Sequence, residues 1–311
     1  MTTLDVAAVR ADRGAASACG VPRDLTSQDS VRQDSVAQDS VHRDRVIAGR
    51  YRLAGPLGGG SEANVQKAFD LHSGDAVAVK IFRCSDAANE APFRREVDIH
   101  GRLRHKNIVR VLGSGTTGHQ EGGEIRNFLV MELVEGTDLR TLLHHQPASP
   151  RETAEWVSGI ARALTYIHRR GIVHNDIKPG NILVNLAADP GGPGVAQLTD
   201  FGIALTGGTA TPGSSSGTPH YLSPEEVRGE NSTTASDVYS LGLVALECLT
   251  GTKAFPGPPL ESMVARTLGE PRIPGTVRRR WSMVLHAMTD PDPAGRPSAS
   301  QVVGMFRRLS R

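Results

Sequence analysis

The run His174-Asn175-Asp176-Ile177-Lys178-Pro179-Gly180-Asn181-Ile182-Leu183 brings a carboxylate, an ammonium and an amide within six residues. Asp176 is suited to take the proton of an attacking hydroxyl. Lys178, two residues on in an extended stretch, points to the same side, where it neutralises a transferring phosphate. Asn181 offers a ligand to a divalent cation. Phosphoryl transfer asks little covalent chemistry of a protein and depends on positioning and charge neutralisation, which these side chains supply. Leu198-Thr199-Asp200-Phe201-Gly202 adds a carboxylate behind a short apolar strand. Magnesium is held by one or two carboxylates together with substrate phosphates, so Asp200 is a natural ligand. An Asp-Phe-Gly step by itself is also an ordinary turn.

Upstream, Leu57-Gly58-Gly59-Gly60-Ser61-Glu62-Ala63-Asn64-Val65 lets backbone N–H groups approach phosphate oxygens with no Cβ in the way. The same cluster also reads as a plain hairpin turn. Ala76 to Phe82 reads as a strand on which Ala76, Ala78 and Lys80 share one face. Two very small residues beside a cation leave room for a flat ring above the strand, with its phosphates reaching Lys80. An exposed edge lysine is the alternative. Glu96 lies on the next helix, expected over 92–104 with Pro92 in its first turn, and is either a partner for Lys80 or solvated.

These residues need a frame. Phe128 to Val134 reads as a buried strand. Ser149-Pro150-Arg151-Glu152 is a capping box with Pro at the first helical position. The helix it opens carries Trp156, Ile160, Leu164 and Ile167 on one face, and Gly171 ends it. Residues 235–250 are apolar on most sides, as in a helix at the centre of a domain. Strands with one helix among them, followed mostly by helices, imply an α+β fold with a small sheet-rich lobe and a larger helical one. The 311 residues and 38% apolar content are enough for a sizeable core, and with only 4% aromatic residues it must be largely aliphatic. A net charge of +2 is too small to argue for nucleic acid or an anionic membrane surface. Three cysteines without CxxC spacing exclude a disulfide framework and fit a reducing compartment. No apolar run is long enough for a membrane helix. Of 35 basic residues only five are lysine (67, 80, 106, 178 and 253), and two of these five lie in the segments described above.

Gly58-x-Gly60-x-x-Ala63-x-Val65, Val77-Ala78-Val79-Lys80, the Asp176 to Asn181 loop and Asp200-Phe201-Gly202 stand in the order of the protein-kinase signature set. They are followed by Gly217-Thr218-Pro219, Ser223-Pro224-Glu225, Asp237 and Arg296-Pro297. The chain resembles a eukaryotic-like bacterial serine/threonine protein kinase over residues 46–311, with 46–134 as N-lobe and hinge and 135–311 as C-lobe. The resemblance implies an antiparallel N-lobe sheet with one helix and a mainly helical C-lobe. It implies transfer of the γ-phosphate of ATP to Ser/Thr hydroxyls of protein substrates, with Mg2+ (or Mn2+ in its place). Asp176 would be the base and Lys178 would touch the γ-phosphate. Lys80 would hold the α- and β-phosphates and pair with Glu96. Asn181 and Asp200 would bind metal. Leu57, Gly58, Gly59, Gly60 and Ser61 would cover the nucleotide. Val65, Ala78 and Leu183 would sandwich its ring beside Met131, and the backbone of Glu132 and Val134 would bond its edge. Glu225 would pair with Arg296, Asp237 would brace the catalytic loop, and Thr218 would help form the substrate shelf.

The charge, the cysteines and the lack of a long apolar run lead to the expectation of a cytoplasmic enzyme without membrane or nucleic-acid partners; a homodimer would serve trans-autophosphorylation, and the density of hydroxyls offers acceptors among Thr206, Thr209, Thr211, Ser214, Ser215 and Ser216. The kinase domain is expected to end near the chain's last helix, with no sensor domain after it. Asn175 stands where many members have Arg, Ser223 where they have Ala, and His100 where they pack an apolar residue. The Pro/Gly-rich stretch between Asn185 and Gln197 predicts a long solvated loop. A pseudokinase scaffold and a small-molecule phosphotransferase are the alternatives. Residues 1–45 carry QDSVR, QDSVA and QDSVH repeats, and a period of five builds neither a helix stripe nor a strand face. They read as a disordered low-complexity tail, or as a docking segment or cluster of phosphorylatable serines (Ser30, Ser35, Ser40).

Overall fold

The computed structural model describes residues 46–60, 63–83, 87–118, 125–201 and 219–309, with the side chains of 87–92, 95 and 96 also outside the description. The tail, Ser61, Thr218 and the hydroxyl-rich stretch between them and Phe201 therefore lie outside the described residues.

The first lobe is a six-stranded antiparallel sheet in the order β1-β2-β3-β4-β6-β5. Its strands are β1 (Val46–Ile47), β2 (Tyr51–Gly59), β3 (Ala63–Asp70), β4 (Ala76–Phe82), β5 (Val111–Thr116) and β6 (Asn127–Glu132). The alternation of β4 gives it two jobs. Val77 and Val79 face a core with Leu53, Phe128 and Val130. Ala78 faces the other way, into a cluster with Val109, Val111, Leu129 and Met131. The register sets Ala78 opposite Met131, and Lys80 opposite Val65 and Leu129.

Helix α1 (Ala87–Arg102) starts five residues before the expected 92. Ala87, Ala88 and Ala91 favour helix strongly enough to carry it past Pro92, which gives up one backbone bond. β6 stops at Glu132 rather than Val134, because the chain leaves the sheet there to cross to the second lobe.

The second lobe holds α2 (Leu139–His145), α3 (Pro150–His168), α4 (Pro224–Val227), α5 (Thr234–Thr250), α6 (Pro259–Leu268), α7 (Arg279–Met288) and α8 (Ala299–Leu309). A second sheet, β7 (Gly136–Asp138), β8 (Ile182–Asn185) and β9 (Val195–Leu198), lies beneath the first. Ser149 and Glu152 form the reciprocal capping box at the start of α3, whose Trp156, Ile160, Leu164 and Ile167 are all buried. The helix ends at His168, and Gly171 turns the chain with φ +70°. α5 is buried continuously from Ser236 to Leu246, as a central helix must be. No described helix is long and apolar enough to cross a membrane.

Candidate active site

Asp237, in the first turn of α5 and 1% exposed, sets the position of the loop after α3. Its Oδ2 accepts from the His174 backbone N–H at 2.9 Å and from His168 Nε2 at 2.8 Å. Its Oδ1 accepts from the Asn175 N–H at 2.9 Å. The chain held this way turns left-handed at Asn175, φ +65°, a conformation Asn adopts more readily than most residues. Beyond that turn, Asp176 Oδ2 accepts from Lys178 Nζ at 2.8 Å and from Asn181 Nδ2 at 2.7 Å. The Asn181 amide also donates to the Asp176 backbone oxygen at 2.9 Å. Its NH2 is thus spent inside the loop, and Oδ1 remains as an acceptor for a cation.

Asp200 follows β9 with φ +60°, and its carboxylate accepts from Lys80 Nζ at 2.8 Å. Burial pushes the Asp200 carboxyl up, but the charge and hydrogen bond of Lys80 outweigh it and hold the group below its ordinary value. Lys80 therefore ties the first lobe to the second at the point where both carboxylates converge.

Above this floor is a cavity of about 400 Å³. It is lined by Leu57, Gly58, Gly59, Gly60, Val65, Ala78 and Lys80 from the first sheet, and by Met131, Glu132 and Val134 from the crossing. Asp176, Lys178, Asn181, Leu183 and Asp200 line it from below. Of the nucleotide and catalytic candidates, only Ser61 and the side chain of Glu96 lie outside the described residues. Gly58 and Gly59 end β2, paired with Val65 and Asn64 of β3, and with Gly60 they wall the cavity. A Cβ on Gly58 or Gly60 would meet nothing within 4 Å, and neither has a positive φ, so packing does not ask for glycine there. The Glu132 side chain is fixed behind the cavity, accepting from Arg110 N–H and Gln197 Nε2.

Some contributors were not singled out from sequence. A Cβ on Gly136 would lie 1.8 Å from the Val184 carbonyl oxygen, so only glycine lets β7 approach β8. A glycine soon after an apolar strand was the available signal. Thr199 donates its backbone N–H to the Asn181 carbonyl at 3.0 Å, locking the two halves of the floor. Arg140 also lines the cavity, and nothing in its local sequence marks it. A second cavity of about 270 Å³, lined among others by Lys106, Arg151 and Arg162, involves none of these residues.

The profile of the protein kinase domain matches residues 51–305. The chain belongs to the protein kinase domain family. It is 40% identical over 222 residues to the probable serine/threonine-protein kinase PknB of Bifidobacterium longum, covering 67% of this chain and 31% of that one. It is 38% identical over 244 residues to the serine/threonine-protein kinase PrkC of Bacillus subtilis, covering 76% and 35%. It is 35% identical over 241 residues to the serine/threonine-protein kinase PknB of Mycobacterium tuberculosis, covering 75% and 37%. The chain spans about a third of the length of these curated relatives.

The two sheets, the crossing and the helical lobe are the bilobal kinase fold that the resemblance implied. Glu225 and Arg296 pair at 2.7 and 2.8 Å, with side chains 3% and 0% exposed. His100 is fully buried, with Nε2 donating to the Val109 carbonyl at 2.7 Å. Its ring lies 4.4 Å from that of Phe201, which also meets His174 at 4.7 Å. Burial pushes the His100 imidazole down to about 4, so it is a neutral packed ring at pH 7. Ser223 has a reason of its own: its hydroxyl caps α4 in a capping box with Glu226. The loop between β8 and β9 is not simply solvated. Trp156 Nε1 donates to the Pro193 carbonyl at 2.7 Å, and Gly194 is buried, because the first turns of α3 offer an indole N–H that needs an acceptor.

Proposed function

We propose that the chain is an ATP-dependent protein kinase that phosphorylates serine and threonine hydroxyls of proteins. The observation that carries the reading is the convergence of Asp176, Lys178, Asn181 and the Lys80–Asp200 pair on the floor of one cavity roofed by glycines that packing does not require. The names of the serine/threonine kinases that it resembles support the choice of acceptor.

The residues present fit a nucleotide with a divalent cation. Ala78, Val65 and Leu183 leave a flat apolar slot, and Gly58 and Gly60 keep its roof free of side chains. Asp200 and the remaining oxygen of Asn181 are oxygen donors of the kind Mg2+ takes, with Mn2+ a chemical substitute. Among the described residues no group of three or more His, Cys, Asp or Glu could form an all-protein metal cage. That suits an ion held partly by the phosphates of its nucleotide. When bound, ATP with its cation supplies the activated γ-phosphoryl group. Asp176 orients the acceptor hydroxyl and takes its proton, and Lys178 neutralises charge at the transferring oxygens. Lys80 would exchange part of its contact with Asp200 for phosphate, leaving the carboxylate to the cation.

The free thiol of the buried Cys248 suits a reducing cytoplasm. A pair of chains would allow one copy to phosphorylate another. Incubating the protein with γ-labelled ATP and Mg2+, beside Lys80→Met and Asp176→Ala, tests the assignment. Label is expected on the wild type alone, abolished by EDTA. Equal label in all three proteins would overturn the catalytic roles, and no label on any acceptor would leave a pseudokinase scaffold.

A further inference from the structure

Arg140 is the second residue of α2, and the buried Leu139 before it turns the arginine outward, with its side chain 76% exposed. The guanidinium carbon lies 3.7 Å from where a Cβ on Gly180 would sit. It therefore rests over the backbone of the catalytic loop, two residues past Lys178 and next to Asn181. Its ionic partner among the described residues is Asp138, at a long 3.7 Å from Nε. Both Asp138 oxygens are already engaged, by the Thr141 N–H at 3.0 Å and the Thr141 hydroxyl at 2.8 Å. Among the described residues Arg140 donates no hydrogen bond. The two nearby ammonium groups differ in this respect, for Lys178 is matched to Asp176 and Lys80 to Asp200. Arg140 is thus the guanidinium fork at the cavity mouth that a second carboxylate can engage. Its charge also reaches Tyr221, whose hydroxyl is pushed up by burial and by Glu247 and drawn the other way by Arg140.

The sequence holds one feature that neither fold nor site has used. Residues 28–42 repeat Gln-Asp-Ser-Val, with Asp29, Asp34 and Asp39 each immediately before a serine. A serine whose hydroxyl sits at Asp176 has its neighbouring aspartate one residue along the chain, a backbone step of ~3.5 Å. We propose that Arg140 selects acceptors with a carboxylate beside the phosphorylated serine, and that the chain's own repeats, at Ser30, Ser35 and Ser40, are such acceptors. The inference rests on the kinase reading above. In the step, the serine oxygen forms a bond to the γ-phosphorus, the bond from that phosphorus to the β-bridging oxygen breaks, and ADP leaves. The hydroxyl proton goes to Asp176, and each repeat yields one phosphoserine.

The test uses the full chain and two synthetic peptides. One has the sequence of residues 28–43, and the other carries Asp29→Lys, Asp34→Lys and Asp39→Lys. Wild type is expected to favour the first by about tenfold or more in kcat/KM, which is ~1.4 kcal/mol of discrimination. Arg140→Glu should reverse the order, and its gain on the lysine peptide shows that it is folded. Arg140→Ala should lose the preference. Mass spectrometry of wild type incubated with ATP should find phosphate on Ser30, Ser35 and Ser40. Equal wild-type rates on the two peptides, an order unchanged in both Arg140 variants, or unmodified repeat serines would overturn the inference. A histone acceptor separates the two readings. Label on histone with none on the repeat peptide overturns the selectivity alone, and label on neither overturns the kinase assignment with it.

Discussion

Arg296→Met should unfold the second lobe far more readily than its distance from the cavity suggests. Arg296 donates through Nη1 and Nη2 to both Glu225 oxygens, and also to the carbonyls of Asp290, Ala235 and Pro291. Glu225 is 2% exposed and keeps, besides the arginine, the Ser236 hydroxyl at 2.7 Å. Removing the guanidinium strands a buried carboxylate, a loss of about 3–5 kcal/mol. The pKa leads to the same size. Burial pushes the Glu225 carboxyl up, but the hydrogen bonds from Arg296 and Ser236 outweigh this and hold it at about 2, against an ordinary 4.5. At about 1.36 kcal/mol per pKa unit the charged pair contributes about 3 kcal/mol at neutral pH. Because the folded value is depressed, that stability is complete above pH 4.5 and is lost as pH falls towards 2. Urea unfolding followed by far-UV circular dichroism measures it. Arg296→Met should lose about 3–5 kcal/mol at pH 7, and Glu225→Gln with Arg296→Met should lose less than the two single losses together. A loss below about 1 kcal/mol at pH 7, or a wild-type advantage over Glu225→Gln that does not shrink below pH 4.5, would refute the reasoning.

Two further outcomes follow from buried groups near the cavity. The His100 imidazole is held at about 4 by burial, against the Val109 carbonyl and Asp200, which favour its charge, and with His174 and Lys80, which oppose it. Stability should therefore fall as pH drops from 6.5 to about 4, by up to about 3 kcal/mol, and His100→Leu should flatten that limb of the pH–stability curve; parallel curves would refute the assignment. Asp237→Asn places an N–H2 against one of the donors that Asp237 now accepts, so the Asp176 loop should shift. Its kcat should fall about 10- to 100-fold with the ATP KM changed less than about threefold, and an unchanged kcat in steady-state assays would show that the loop does not depend on this brace.

The sequence shows most clearly what depends on local chemistry. The strand from Ala76 to Phe82 is legible because alternation puts valines on one face and small residues with Lys80 on the other, and the sheet buries both faces accordingly. The α3 cap is legible because Ser149 and Glu152 satisfy each other without help from the rest of the chain. The first turn of α1 was misplaced because proline marks a helix start only when poor helix formers precede it, and here alanines do. The Trp156–Pro193 contact was not legible, since nothing within 185–197 says which distant donor will meet its carbonyls. Arg140 stayed hidden for the same reason, as the loop it rests against lies forty residues away at Gly180. The catalytic run is the opposite case, for its residues are close in sequence and close in space.

The ion pair between Lys80 and Asp200 joins groups 120 residues apart. A ribosome adding about 5–20 residues per second needs roughly 6–24 s to cover that interval. Once β6 has been made, the sheet that presents Ala78, Met131 and Lys80 still lacks β8, β9 and the Asp200 turn that later close over it. The nascent chain thus displays the apolar wall of its own future cavity to the cell for seconds before covering it. This face is where a chaperone, or a nucleotide arriving early, would first find the protein.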